Sequence, residues 1–412
     1  MLERLAELVN ADDRLVLRGR YVTGTVRVDV GDDAHYLDIA AGRVERVRTG
    51  PLVMPVTRLV LRAPRAEWAA FWEPRPRPGH GDLMALLRRR VLAVEGDLYL
   101  FMANLRYFKD VLEKPRERGG SLVSPVRAAT RAVAFTEPVT GRYVHMDLPG
   151  GRQRIYVEEA GAGVPLLCLH TAGSDSRQFR HLLNDERVTG RFRVIAFDMP
   201  WHGRSSVPAG WRGIEYRLTS DDYAGMVLGV CDALELDRPA VMGCSIGGRI
   251  VLRLAREHPE RFRALIGLQS GAAVAPYYER EYLHRPDVHG GELCAALMSG
   301  LIGPDAPAAD RAETLWQYAQ GGPGVFQGDL YFYKDQRDDD IASIDTARCP
   351  LYLLSGEYDY SCMPEDTLAV AAAVPGARVT IMPGLGHFPM SEDHEAFARH
   401  LLPVLEEIAA AG

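Results

Sequence analysis

Three side chains that together can perform nucleophilic catalysis stand far apart in this sequence: Ser245, Asp359 and His387. A serine hydroxyl is a weak nucleophile until a histidine takes its proton, and a carboxylate can orient that histidine. Ser245 is the centre of a G-x-S-x-G motif at 243–247, between a short apolar run and a segment with the apolar spacing of a helix. Strand, sharp turn and helix expose such a serine as a nucleophile. The glycines match neither phosphate-binding motif, G-x-x-x-x-G-K-[ST] or G-x-G-x-x-G.

The predicted base and acid follow Ser245 along the chain. His387 lies between glycines and a proline, in a loop after a predicted strand at 377–383. Asp359 comes just after a buried-strand run at 350–355, where its carboxylate can orient the imidazole of His387. Glu357 is a rival acid in the same loop. The order of serine, acid and histidine predicts a catalytic triad.

Residues 140–410 resemble an α/β-hydrolase. Besides the serine motif, residues 163–173 resemble the third strand and the His-Gly oxyanion loop of that family. Residues 192–205 resemble its fourth strand and its D-x-x-G-x-G-x-S segment. The resemblance implies a mostly parallel eight-stranded sheet with flanking helices and a helical cap, and we expect no cofactor and no metal.

The same resemblance assigns roles to individual residues. The family's strand–G-x-x-D pattern favours Asp359 over Glu357 as the acid. The two oxyanion donors map to the backbone amides of Ile246, next to the nucleophile, and Ala172, in the first strand–helix loop. The family's helical cap corresponds to residues 272–347, which are rich in tyrosine and other aromatic residues. An aromatic cap indicates an apolar or aromatic substrate with a few polar groups.

Two residues depart from the family pattern at the predicted site. Thr171 stands where a glycine usually follows the loop histidine, which leaves open which amide points inward and adds a hydroxyl donor. Trp201 stands where the fourth-strand segment usually has its first glycine, and it either lines the pocket or fills space below the loop. With Cys244 and Phe388 they form our set of candidate substrate-binding residues, although Cys244 also reads as a small packing residue.

Length and composition predict more than one domain. The chain has 412 residues, of which 47% are hydrophobic and 25% charged, as is typical of a soluble globular protein. It has no apolar run of membrane-spanning length, and it begins with a charged amphipathic stretch unlike a signal peptide. Six scattered cysteines suggest neither a disulfide framework nor a zinc site, so we expect a cytoplasmic protein.

The first part of the chain is organised differently from the hydrolase. Residues 1–118 read as a strand meander, a tryptophan-containing helix, and a V-x-G-D entering one apolar helix at 98–112. This is similar to the sterol-carrier-protein type-two fold, in which a five-stranded sheet and helices cover an apolar tunnel for lipids or acyl-CoA. The alternative is a smaller α+β domain that serves for homodimerisation or covers the catalytic domain. Residues 119–137 read as a linker and 138–412 as the hydrolase domain.

The basic residues of the N-terminal part do not indicate nucleic-acid binding. Residues 1–130 carry 22 Lys and Arg against 17 Asp and Glu, within a chain of net charge −7. These charges are spread over many elements without a compact basic strip.

The predicted function is therefore that of a serine hydrolase acting on a hydrophobic carbonyl compound. An ester, thioester or lactone is the main expectation, and a polyketide-like or fatty-acyl substrate on a carrier, as in secondary metabolism, fits the two-domain organisation. Three alternatives stay open: a hydrolase of carbon–carbon bonds beside ketones, a non-catalytic small-molecule receptor or carrier, and an isomerase or lyase that uses His387 as base and Ser245 only as an anchor.

Overall fold

A computed structural model describes residues 2–116, 136–148, 151–272, 285, 287–335 and 340–411. The chain forms two compact units, Met1–Val126 with Arg285–Gly300, and Arg127–His284 with Leu301–Gly412. The expected linker lies almost wholly outside the described residues, as do Tyr277, Tyr278 and Tyr282 of the expected cap. Within the described ranges, every helix is too short or too polar to cross a membrane.

The described residues form thirteen strands and seventeen α-helices. The strands are β1 (Gly24–Val30), β2 (Asp33–Ala40), β3 (Arg43–Thr49), β4 (Leu59–Ala63), β5 (Ala93–Gly96), β6 (Thr140–Leu148), β7 (Gly151–Ala160), β8 (Val164–Leu169), β9 (Phe192–Phe197), β10 (Ala240–Cys244), β11 (Ala264–Leu268), β12 (Leu351–Gly356) and β13 (Arg378–Met382). The helices are α1 (Leu5–Asn10), α2 (Asp13–Arg18), α3 (Arg65–Phe71), α4 (Leu83–Arg88), α5 (Leu98–Ala103), α6 (Leu105–Glu113), α7 (Arg180–Leu183), α8 (Glu186–Thr189), α9 (Ser220–Ala233), α10 (Ile246–Glu257), α11 (Gly290–Met298), α12 (Ala308–Ala319), α13 (Val325–Leu330), α14 (Phe332–Asp335), α15 (Pro364–Ala373), α16 (Pro389–Glu392) and α17 (His394–Ala410).

The first unit is built on a five-stranded sheet with the order β3-β2-β1-β4-β5. All pairs are antiparallel except β1 with β4. The single apolar helix expected at 98–112 is in fact two helices, α5 and α6. The break falls at Asn104, whose backbone leaves helical geometry (φ −123°) and whose side-chain amide donates to the Leu100 carbonyl at 3.0 Å. Asparagine bonds readily to nearby backbone groups in this way, which disfavours it within a helix.

Part of the expected cap belongs to the first unit, a difference from the sequence analysis, which placed all of 272–347 in the hydrolase domain. Helix α11 packs against α6, where the buried Lys109 ammonium donates to the Ala296 carbonyl at 2.6 Å. The same ammonium forms an ion pair of 2.7 Å with Asp82, also buried. A buried lysine needs such partners, so these contacts tie α11 to the first unit.

The second unit contains an eight-stranded sheet with the order β13-β12-β11-β10-β8-β9-β7-β6. Strands β8 to β13 run parallel, while β7 is antiparallel to β9 and β6 is antiparallel to β7. Every residue of β10, β11 and β12 is buried, as expected for parallel strands with both faces covered. The predicted fold class, a mostly parallel eight-stranded α/β sheet preceded by a smaller α+β region, is confirmed.

The C-terminal helix is shorter at its start than the sequence suggests. The apolar spacing of residues 392–408 predicts one amphipathic helix, but Asp393 separates α16 from α17 with an extended backbone (φ −160°). The Asp393 carboxylate accepts from the Ala396 amide at 3.0 Å, and this cap begins α17. The interruption leaves α16 directly after the loop that carries His387.

Candidate active site

Ser245 occupies the sharp turn between β10 and α10. Its backbone is in a strained region (φ 59°, ψ −115°) that a non-glycine residue rarely adopts. Its amide donates to the Leu268 carbonyl at 3.0 Å, which anchors the turn to the neighbouring strand. A Cβ at Gly243 would overlap the Gly247 carbonyl oxygen, so the two glycines of the motif permit this turn.

The imidazole of His387 and the carboxylate of Asp359 form a buried pair. Nδ1 of His387 lies 2.6 Å from Oδ2 of Asp359, and the residues are 4% and 2% exposed. The other carboxylate oxygen accepts from the amides of Ser361 and Cys362 at 2.7 and 3.2 Å. The Asp359 carboxylate is therefore fixed by its own loop while it faces the imidazole.

The loop of His387 is held against the strand ends by buried hydrogen bonds. The His387 amide donates to the Leu301 carbonyl at 2.8 Å. The Gln269 amide group donates to the Gly386 carbonyl at 2.7 Å, and its oxygen accepts from the Gly356 amide at 3.0 Å. Gln269 thus joins the ends of β11 and β12 to the histidine loop.

A second buried carboxyl group supports the same loop. Glu392, on α16, accepts from the amides of Gly386 and Phe388, the residues on either side of His387. The side chain is fully buried, and burial raises its pKa from 4.5 to about 7. The backbone around His387 is thereby fixed by a group that titrates near neutral pH.

The rival acid, Glu357, makes a different contact. Its carboxylate accepts from the Gly384 amide at 2.9 Å, in the turn after β13. The structure therefore brings Asp359 to the imidazole and uses Glu357 to hold the turn that leads to the histidine loop.

The hydroxyl of Ser245 contacts a residue of the cap. Tyr333, in α14, places its hydroxyl 3.3 Å from Ser245 Oγ. The ring of Tyr333 also lies beside the guanidinium of Arg249, 5.7 Å from the ring centroid to the charge. Ser245 itself is only 9% exposed. A polar cap group therefore stands directly at the candidate nucleophile.

The two backbone amides expected as oxyanion donors are those of Ile246 and Ala172. The Ile246 amide is the first of α10, so it has no acceptor within the helix. In the loop after β8, the amide of Thr171 donates to Gln178 at 3.0 Å and that of Gly173 to Asp329 at 2.6 Å. Within the described parts of the chain, the Ala172 amide has no recorded acceptor.

The side chain of Thr171 is engaged within the protein. Its hydroxyl contacts the Tyr318 hydroxyl of α12 and lies 3.1 Å from Gln178 Oε1. All three residues are buried. The threonine hydroxyl, expected as an extra donor to substrate, instead links the loop to a cap helix.

Two histidines below this loop differ in their hydrogen-bond partners. His170 faces the Thr171 carbonyl through Nδ1 and accepts from the Met199 amide at Nε2, which defines a neutral ring, and burial lowers its pKa. His202 faces acceptors at both nitrogens, the Pro200 carbonyl and Asp329, each at 2.8 Å. Burial opposes charge on His202, but Asp329 raises its pKa overall. Both ring nitrogens of His202 therefore face oxygen acceptors, which favours the protonated ring.

The remaining candidate residues lie around the site in distinct ways. Phe388 is fully buried, and its ring packs edge-on against His387 at 4.9 Å. The Cys244 thiol is fully buried, donates to the His387 carbonyl at 3.2 Å, and has a pKa raised well above its ordinary value by burial. A protonated thiol facing a carbonyl is not a second nucleophile.

Trp201 adopts a left-handed backbone (φ 73°), the conformation for which a glycine is usual at this position. Its ring stacks on Tyr216 at 5.3 Å. Trp201 also borders a cavity of about 380 Å³ whose lining includes His202 and Gln317 but neither Ser245 nor His387.

Sequence reasoning missed Asp329 and Gln269, and it placed Tyr333 only among the aromatic residues of the cap. Each is a single polar residue without a local motif, so no pattern around it indicates its role. The available signals were the polar positions themselves: Gln269 at the end of a buried strand, and Asp329 among the aromatic residues of the cap.

Known proteins share the fold of the second unit. The model of the alpha/beta hydrolase fold matches residues 164–393, more than half of the chain. The chain is 29% identical over 274 residues to the 2-hydroxymuconate semialdehyde hydrolase of Pseudomonas sp. strain CF600. This match covers 63% of this chain and 92% of that protein. Among solved structures, an esterase of Thermogutta terrifontis has a TM-score of 0.57 at 20% identity, covering 66% of this chain and 99% of that one. The enol-lactonase of Burkholderia xenovorans LB400 has a TM-score of 0.54 at 19% identity, covering 64% and 99%.

Proposed function

Since the chain belongs to the α/β-hydrolase fold family and is a hydrolase of that family, we propose that it is a serine hydrolase with Ser245 as nucleophile, His387 as base and Asp359 as the orienting acid. One observation carries the proposal: the strained serine turn lies beside a histidine loop whose imidazole is held 2.6 Å from a buried carboxylate.

In the proposed mechanism, Nε2 of His387 takes the proton of Ser245 as Oγ attacks the substrate carbonyl carbon. Asp359 holds the proton on Nδ1, so that Nε2 is the basic nitrogen. The amides of Ile246 and Ala172 donate to the oxyanion. His387 then protonates the leaving group, the carbonyl re-forms, and water attacks the acyl-enzyme with His387 again as base, which releases the acid and restores Ser245.

For the bond that is broken, we propose an ester, thioester or lactone as the main class. The buried aromatic residues of the described cap, such as Tyr318 and Phe332, support a hydrophobic acyl group. Cleavage of a carbon–carbon bond is the second candidate. The relative named for 2-hydroxymuconate semialdehyde favours it, because that compound has no ester and its hydrolysis must break a carbon–carbon bond.

For the first 118 residues, we propose a lipid-binding domain similar to the sterol-carrier-protein type-two fold, which would receive the hydrophobic or carrier-linked acyl group. The five-stranded sheet of the first unit supports this resemblance. Binding of a fluorescent fatty acid by the full chain tests the proposal, and no saturable binding at micromolar ligand would contradict it.

The catalytic proposal is tested with a panel of aryl esters, thioesters, lactones and β-diketones. Wild-type protein should hydrolyse at least one class, and both Ser245→Ala and His387→Ala should lower its kcat by at least about 10³-fold. Turnover retained in Ser245→Ala with loss in His387→Ala would indicate base catalysis without a serine nucleophile. No turnover in any class would favour a receptor or carrier.

A further inference from the structure

The loop that supplies the candidate oxyanion amide of Ala172 is held from both sides. On one side the Thr171 amide donates to Gln178, and on the other the Gly173 amide donates to Asp329, at 3.0 and 2.6 Å. These two hydrogen bonds fix the 170–171 and 172–173 peptide planes, which lie on either side of the plane that carries the Ala172 N–H. The direction of the Ala172 N–H therefore depends on the hydrogen bonds that the Thr171 and Gly173 amides donate.

Asp329 comes from cap helix α13 and is completely buried. Its Oδ2 accepts from the Gly173 amide and from His202 Nε2, the latter at 2.8 Å, and its Oδ1 accepts from the Tyr216 hydroxyl at 2.8 Å. Burial and the neighbouring Asp329 raise the pKa of Tyr216 well above its ordinary value, so its hydroxyl is a donor. Three donors thus fix one carboxylate in a dry environment, where such bonds are strong.

A second cap residue contacts the same loop independently. The Tyr318 hydroxyl of α12 contacts the Thr171 hydroxyl and lies 3.4 Å from Gln178 Nε2. Its ring packs at 5.3 Å against Phe388, which follows His387. Two different cap helices therefore contact the residues on either side of Ala172.

We propose that Asp329 and Tyr318 are positioning residues that orient the Ala172 amide, so that the oxyanion hole is completed by the cap. The inference rests on the proposed serine mechanism. Neither side chain touches the reacting atoms, and each acts through the backbone of the loop. Because an oxyanion donor binds the transition state more strongly than the ground state, the two residues control kcat more than KM.

The test is the rate of labelling of Ser245 by a fluorophosphonate, a reaction that also develops charge on an oxygen in the oxyanion hole. Asp329→Asn removes the charge that pairs with His202, and we expect the second-order rate constant to fall about 10- to 100-fold. This is less than the 10²- to 10³-fold typical when a donor is removed outright, because the amide is displaced and not deleted. With an ester from the panel, kcat should fall by a similar factor while KM changes less than about threefold.

The matched control is Asp310→Asn, which alters another cap carboxylate, paired with Arg180 and His181 away from the loop. It should label at the wild-type rate. A merely structural role for Asp329 would lower the fraction of protein that labels and leave the rate constant of that fraction unchanged, which would overturn the inference.

Tyr318→Phe keeps the inference testable if Asp329→Asn does not fold, because it removes only a hydroxyl. We expect it to slow labelling about 3- to 10-fold. A wild-type rate in Tyr318→Phe and in any folded Asp329→Asn would overturn the inference while labelling of the wild type still supported the serine mechanism. Absence of labelling in the wild type would instead overturn the proposed function and the inference with it.

Discussion

Nδ1 of His387 lies 2.6 Å from Oδ2 of Asp359, and both side chains are shielded from water. In such a pair the carboxylate fixes the tautomer of the imidazole and stabilises the imidazolium that forms during attack. We expect Asp359→Asn to lower kcat on the order of 10³- to 10⁴-fold while the fold is retained, because the asparagine favours the wrong tautomer. Steady-state kinetics with the best substrate of the panel measure this effect.

Glu357→Gln is the matched control for that substitution. Glu357 lies in the same loop, but its carboxylate accepts from the Gly384 amide, a bond that glutamine can keep. We expect kcat within about threefold of the wild type. If kcat fell as far in Glu357→Gln as in Asp359→Asn, the assignment of Asp359 as the acid would be wrong.

Tyr333 is the cap residue that contacts the candidate nucleophile, with 3.3 Å between the two hydroxyl oxygens. Tyr333→Phe removes a hydrogen-bonding group next to the reacting atom and keeps the ring beside Arg249. Since one hydrogen bond between neutral groups contributes about 0.5–1.5 kcal/mol, kcat/KM should fall about 2- to 10-fold. The comparison is Tyr331→Phe, a cap tyrosine stacked on Arg217, which should behave as wild type. An unchanged kcat/KM in Tyr333→Phe would show that the Tyr333 hydroxyl takes no part in the reaction.

Glu392 gives the stability of the protein a definite pH dependence. Its pKa is raised from 4.5 to about 7 by burial, so between these values the native state keeps a proton that the unfolded state releases. The contribution of Glu392 to the free energy of unfolding therefore falls as the pH rises from about 4.5 to about 7, by at most about 1.4 kcal/mol per pH unit. Glu392→Gln cannot titrate, and we expect its denaturant-unfolding stability to lack this slope.

A second glutamate of the C-terminal segment provides the comparison for Glu392. Glu395 is exposed and paired with Arg187, so Glu395→Gln should keep the pH slope of the wild type. If the stabilities of Glu392→Gln and of the wild type fell in parallel over this pH range, the prediction that Glu392 is buried as an un-ionised carboxyl group would be wrong.

The serine turn and the buried parallel strands were predictable because their requirements are local. Gly243 and Gly247 are needed where the backbone of the turn approaches itself, and the apolar runs of β10 to β12 are those of strands buried on both faces. The position of a histidine or an aspartate just after such a strand then follows from the topology.

The contacts of the cap were not predictable, because they depend on how short helices pack in the folded protein. Asp329 is 156 residues from Gly173, and Tyr333 is 88 residues from Ser245, with no repeated spacing to connect them. The break at Asn104 and the start of α17 at Asp393 were missed for a different reason. At each boundary, one side chain forms a hydrogen bond with the backbone and ends or begins a helix. The apolar spacing of the sequence continues through both boundaries and gives no sign of them.

Covalent modification of Ser245 is the sharpest test of its role as the nucleophile. Intact wild-type protein is incubated with a fluorophosphonate and weighed by mass spectrometry, and the modified peptide is then sequenced. We expect one adduct per chain, located on Ser245, and none in Ser245→Ala. No adduct on the wild type, or an equal adduct on Ser245→Ala, would contradict the assignment of Ser245 as the nucleophile.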